Sequence, residues 1–116
     1  MNRPSDTYRI PLPDDAKAHA GSSTTFDTQV GTPNDLIAFY DNYLRTAGWT
    51  LVTRLSHEPA ASEVFYKRVY CRAGASVPDN VTVVVRPLAG SDQTALSKLG
   101  AQIDLSGGQE SLNTCP

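Results

Sequence analysis

The run 32–49, TPNDLIAFYDNYLRTAGW, restricts the fold more than any other stretch of the chain. It is an amphipathic helix with both ends written in. Thr32 is a good N-cap, because its hydroxyl accepts from the orphan amides of a first helical turn. Pro33 follows at the first helical position, where a missing N–H costs nothing. Asp35 completes a T-x-x-D box and sets negative charge at the positive end of the helix dipole. Leu36, Ile37, Phe39, Tyr40, Tyr43, Leu44 and Ala47 fall on one side of the helical wheel. Ala38, Asp41, Asn42, Arg45 and Thr46 fall on the other. Asp41 and Arg45 are spaced i,i+4 in the favourable order. Gly48 supplies the left-handed residue that ends a helix, and Trp49 is placed to fold back onto Leu44. A helix over 33–47 with one apolar stripe needs a sheet or another helix to cover it.

The flanking segments supply a sheet. Residues 1–15 carry three prolines and several polar residues and read as an extended lead-in. Residues 16–20 read as a short edge strand and 23–30 as a strand alternating weakly around Phe26, with Gly21 between them and Gly31 as a stop. Beyond the helix, 49–55 places Trp49, Leu51, Thr53 and Leu55 on one face of a strand. After a loop at 56–62, the segment 63–72 is a strand rich in aromatic and β-branched residues. Loop 73–80 carries the turn set Pro78-Asp79-Asn80. Residues 81–86, VTVVVR, form the most central strand, stopped by Pro87. Residues 92–99 suit a short helix capped by Ser91 or Asp92 and ended by Gly100. Residues 101–105 suit a last strand, with Ile103 and Leu105 inward. The predicted fold is α+β: an antiparallel sheet of about four to five strands with one main helix on one face. The domain proper is 16–105, its core formed by the helix stripe with Val81, Val83 and Val85.

A chain of 116 residues is one domain, burying roughly 65% of its unfolded surface. Ten basic against 12 acidic residues disfavour nucleic acid or an anionic membrane as partner. No apolar stretch approaches the roughly 18 residues of a membrane span. The N-terminus lacks an apolar leader core, so the chain is either cytosolic or follows a removed signal segment, Met1 then being an addition. The two cysteines, Cys71 and Cys115, leave two readings. They are unrelated thiols of a reducing compartment, or a disulfide that ties the tail 106–116 to the sheet. A tail so poor in core residues needs an anchor, which favours the bridge and, with it, a periplasmic or secreted location rather than the cytoplasm.

The strand ending in Phe26-Asp27-Thr28, followed by Asp35-Leu36-Ile37-Ala38-Phe39-Tyr40, Leu44 and Ala47-Gly48-Trp49, resembles a pattern of small bacterial envelope proteins and lipoproteins of unassigned function. The likeness covers about a third of the chain and implies an exported, non-enzymatic domain.

The residues that carry chemistry do not assemble into a motif. His19 and His57 are isolated, and His57-Glu58-Pro59 is not a metalloprotease signature. Metal ligands would need tighter, patterned spacing. Asp14-Asp15 and Asp79-Asn80 read as solvated turns. No nucleophile elbow is present, Ser22 and Ser23 near His19 do not make a triad, and Cys71 lacks a matched base. Gly107-Gly108 lacks the lysine and the strand–helix context of a phosphate loop. No catalytic residue, cofactor or metal is expected.

One surface is expected to bind. On the strand 63–72, Tyr66, Arg68, Tyr70 and Arg72 share one face, and Phe65, Lys67, Val69 and Cys71 the other. With the second set against the helix, an aromatic–arginine stripe faces outward, and both residue types are enriched at protein interfaces. With the reverse register the tyrosines lie in the core. The chain thus reads as a non-enzymatic exported domain that binds another protein. The alternative is an immunity or inhibitor protein whose mildly acidic surface masks a toxin's basic site.

Overall fold

The computed structural model describes residues 1–61, 63–88 and 92–116. The helix α1 runs over Pro33–Thr46. Thr32 Oγ1 accepts from the Asp35 amide at 3.0 Å, and Arg45 Nε donates to Asp41 at 3.0 Å. At the other end Gly48 takes a φ of 94°, Trp49 N–H donates to Leu44 O at 2.9 Å and Gly48 N–H to Arg45 O at 3.1 Å. This pair of bonds is the Schellman motif, and it directs the indole back over the helix end.

The strands are β1 (Arg3–Pro4), β2 (Pro11–Leu12), β3 (Lys17–Ala18), β4 (Thr25–Thr28), β5 (Thr50–Leu51), β6 (Tyr66–Arg72), β7 (Asp79–Pro87) and β8 (Ala101–Gly107). The first two form a hairpin of their own. The rest make one six-stranded sheet in the order β3-β4-β8-β7-β6-β5, antiparallel throughout. The architecture is the expected α+β, with more strands than the four to five read from the sequence. The chain enters at one edge, crosses the face as α1, resumes at the opposite edge and returns as a meander. The last strand, β8, then slots between β7 and β4. Both edges are short strands, which leaves little unpaired backbone to template aggregation.

Val81, Val83 and Val85 of β7 and Ala101, Ile103 and Leu105 of β8 point at the helix and meet Leu36, Ile37, Tyr40, Leu44 and Trp49. Burial of each such aliphatic side chain contributes roughly 1.5–3 kcal/mol. Tyr40 is fully buried and donates its hydroxyl to Pro11 O at 2.9 Å. Burial raises the pKa of that phenol well above its ordinary value.

Three expectations are corrected. The lead-in is structured: Ile10 and Leu12 belong to the core, and Arg3 donates to the carbonyl of Ala16 just beyond it. The strand expected over 49–55 stops at Leu51. Val52 turns to the opposite face, Thr53–Leu55 forms a 3₁₀ turn, and Leu55 packs away from the helix. Ser56 causes the departure, because its hydroxyl donates to Val52 O and accepts from the Val69 amide, replacing ladder bonds. No helix forms at 92–99, and Ser91, its alternative cap, lies outside the described residues. Asp92 instead takes the Thr94 amide at 3.0 Å in a local turn. Leu96 C=O accepts from the Asn34 amide, one of the orphan donors of α1.

The face of the sheet away from α1 is covered at one end by the chain's last residues. Val52, Val69, Cys71 and Leu112 form a second apolar cluster there, with Leu55 and Cys115 against it. Cys71 and Cys115 are joined in a disulfide, Cα to Cα 5.8 Å. Asn80 adds a two-way clamp: its amide donates to Glu110 O at 2.7 Å and its carbonyl accepts from the Glu110 amide at 3.1 Å.

Candidate interaction site

The tyrosine–arginine face of β6 points inward, not outward. Its residues pair across the ladder with Val85, Val83, Val81 and Asp79, and the three valines face the helix. Period-2 alternation leaves no choice once Cys71 is tied to a tail on the far face. Tyr70 is 0% exposed and donates to Asp41 Oδ1 at 2.6 Å. Tyr66 donates to Asn34 Oδ1 at 2.7 Å. Arg68 lies between Glu58 Oε1 at 2.6 Å and Asp41 Oδ1 at 3.6 Å. These three residues fasten the helix to the sheet, and the expectation of an open binding stripe is corrected for them. Burial works against ionised Asp41, but the Tyr70 hydrogen bond and the Arg45 and Arg68 charges outweigh it and hold its pKa below the usual range. Burial first, and then donation to that carboxylate, push the Tyr70 phenol up.

Arg72, the last residue of the stripe, stacks on aromatic rings instead. Its guanidinium carbon sits 4.2 Å from the centroid of the Trp49 ring and 5.3 Å from that of Tyr8. Its Nε lies 3.7 Å from Asp79 Oδ2. Tyr8 meets Trp49 edge-on, with centroids 5.0 Å apart. Trp49 is delivered by the helix terminus, Arg72 by the end of β6, and Tyr8 by the turn between β1 and β2. That turn is unusual. Ile10 N–H closes it onto Thr7 O at 3.1 Å, and both central residues, Tyr8 and Arg9, have positive φ, 52° and 55°. This is the pattern of a type I′ turn, which normally takes Asn and Gly. Thr7 Oγ1 donates to Leu105 O at 2.7 Å and pins the turn to β8. A Cβ at Gly107 would meet Tyr8 Cε2 at 3.0 Å, so the tyrosine ring lies directly on that glycine.

The cleft beside this stack has a volume of about 400 Å³. It is lined by Tyr8, Val77, Asp79 and Asn80 together with the tail residues Glu110, Ser111, Leu112 and Asn113. Tyr8 is 40% and Val77 64% exposed, although Trp49 beneath is buried. A half-exposed tyrosine, a stacked arginine and an apolar loop tip thus lie together beside the cleft. Glu110 is itself paired, with Lys67 Nζ at 3.7 Å.

Both histidines lie among polar neighbours. His19 Nδ1 lies 3.2 Å from Asp27 Oδ2 and 3.3 Å from Gln102 Nε2 on the uncovered part of the sheet. His57 stacks on Phe65, lies 3.2 Å from Glu63 and bridges to Lys67 through its backbone. Asp14 and Asp15 lie in the expected turn, with Asp14 exposed, and Asp15 also accepts from the Thr28 hydroxyl and the Gln29 amide, bonds that hold its pKa below the usual range. Among the described residues no group of three or more His, Cys, Asp or Glu side chains is placed to hold a metal ion. No described helix is long and apolar enough to cross a membrane.

The sequence pointed to Arg72 only as part of an outward stripe, and neither Tyr8 nor the stacking of Trp49 was legible in it. Nothing local marks Tyr8, because it stands in a positive-φ turn that normally takes Asn and Gly. Compared with family models, curated proteins and solved structures, the chain matches none of them.

Proposed function

We propose that this chain is a non-enzymatic binding domain, exported from a bacterial cell into an oxidising compartment such as the periplasm, and that it docks another protein at the cleft beside the Tyr8–Trp49–Arg72 stack. The observation that carries the reading is the Tyr8–Arg9 turn. Two consecutive non-glycine residues in the left-handed region cost of order 1–2 kcal/mol each. Such strain persists where the surroundings over-determine it, and it is concentrated at functional positions. Here it sets a tyrosine over a buried tryptophan and a stacked arginine, at the mouth of a cleft. Tyr, Trp and Arg are the residues that most often dominate protein–protein affinity. The disulfide supports the compartment, and the likeness of the helix–Gly–Trp junction to envelope proteins supports export. A basic partner, such as a toxin held by its immunity protein, falls within the same reading, since the net charge of the chain is −2.

The test is site-specific photo-crosslinking in cells of the source organism. A photoreactive residue replaces Val77 at the cleft, or Val30 beside the N-terminal end of the helix, both 64% exposed. A discrete adduct from position 77, absent from position 30 and lost when Tyr8→Ala is added, is expected. No adduct, or equal adducts from both positions, would contradict the proposal.

A further inference from the structure

We infer that the Cys71–Cys115 disulfide is a redox-operated strap that builds one wall of the cleft, so that reduction removes the site without unfolding the domain. Its regulatory meaning rests on the docking reading above, whereas the release of the tail does not. The geometry divides the molecule in two. The main core contains no residue beyond Leu105 and neither cysteine. The tail wall, 110–113, is held by the disulfide, by Leu112 as its one buried apolar side chain, by the Asn80 clamp and by the Lys67–Glu110 pair. A half-buried ion pair at 3.7 Å, still open to solvent screening, contributes little. One leucine and two hydrogen bonds stand against the conformational entropy of ordering the tail. The bridge spans a sequence separation of 44, and it holds the balance.

The chemistry is ordinary thiol–disulfide exchange with a dithiol reductant. Cys71 is fully buried, whereas Cys115 is partly exposed, so attack falls on Cys115. One thiolate of the reductant forms a mixed disulfide with the Cys115 sulfur, and the Cys71 sulfur leaves as thiolate and takes a proton. The second reductant thiolate then attacks its partner sulfur and expels the Cys115 thiolate, which is protonated in turn. The protein gains two electrons and two protons, and the dithiol becomes a cyclic disulfide.

Backbone ¹⁵N relaxation of the whole chain tests this with dithiothreitol as the probe. In the oxidised protein, residues 110–115 are expected to show order parameters like those of β7, about 0.85. On reduction they are expected to fall below about 0.6, while the amide shifts of β4, β7 and β8 keep their dispersion, and reoxidation is expected to reverse the change. Cys115→Ser without reductant is expected to reproduce the reduced spectrum. Order retained in the tail of the reduced protein or of Cys115→Ser would overturn the strap. Collapse of the strand shifts on reduction would also overturn it, because the bridge would then be a staple of the whole fold. No partner is needed, so failure here leaves the docking proposal standing, and absence of a partner leaves the strap standing.

Discussion

Tyr8 and Arg9 concentrate the account into two backbone angles. Arg9 is exposed and has a φ of 55°, so glycine relieves strain there at no cost in packing. Arg9→Gly is expected to stabilise the protein by about 0.5–1 kcal/mol, read as a higher urea midpoint with an unchanged m-value. Gly48 gives the converse case. Its φ is 94° and nothing lies within 4 Å of an added Cβ. Gly48→Ala therefore loses only backbone energy, about 1 kcal/mol, by the same urea measurement. Two carboxylates bring pH into the picture. Asp15 and Asp41 both have pKa values below the ordinary 3.8. A group depressed on folding adds stability above its unfolded pKa and loses it as pH falls through the folded one. Stability is thus expected to drop below about pH 4, and the drop to be shallower in Asp15→Asn, followed by thermal melts from pH 5 to 2.

At the scale of elements, the joint between α1 and β6 is polar where the rest of the interface is apolar. Tyr70, Asp41, Arg68 and Glu58 form one chain of contacts across it. Tyr70→Phe removes the hydroxyl and leaves a partly buried carboxylate short of a donor. A loss of about 1–3 kcal/mol is expected, measured by chemical denaturation. The helix was legible in detail, because its caps and stripe are local and each acts through its neighbours in sequence. The Val81–Val85 strand was legible for the same reason. The orientation of β6 was not, because alternation fixes which residues share a face and is silent on which face is covered. Cys71 held the answer. A cysteine bridged to a chain end on the outer surface must face away from the helix, which sends Tyr66, Arg68 and Tyr70 inward. The 3₁₀ turn at Thr53–Leu55 was hidden because one hydroxyl, that of Ser56, decides it through contacts with Val52 and Val69.

The whole molecule is a helix-covered sheet with a hairpin in front of it and a strapped tail behind. The two appendages meet at the cleft, the hairpin supplying Tyr8 and the tail the residues 110–113. Neither was legible as a site. Tyr8 and Arg72 are 64 positions apart in sequence and are brought together only by the closing of β8 against β7 and β4. Replacing both cysteines by alanine is expected to lower stability by up to about 4 kcal/mol while leaving one cooperative transition, since the main core holds no tail residue. The most direct measurement is the affinity of the purified partner captured from position 77 for the wild type, Tyr8→Ala, Arg72→Ala and Val30→Ser, each shown to be folded by its melt. The expected result is binding at least about tenfold weaker for the two stack variants, a loss of roughly 1.4 kcal/mol or more, with Val30→Ser unchanged. Equal affinity across all four proteins, or a loss confined to Val30→Ser, would contradict the account.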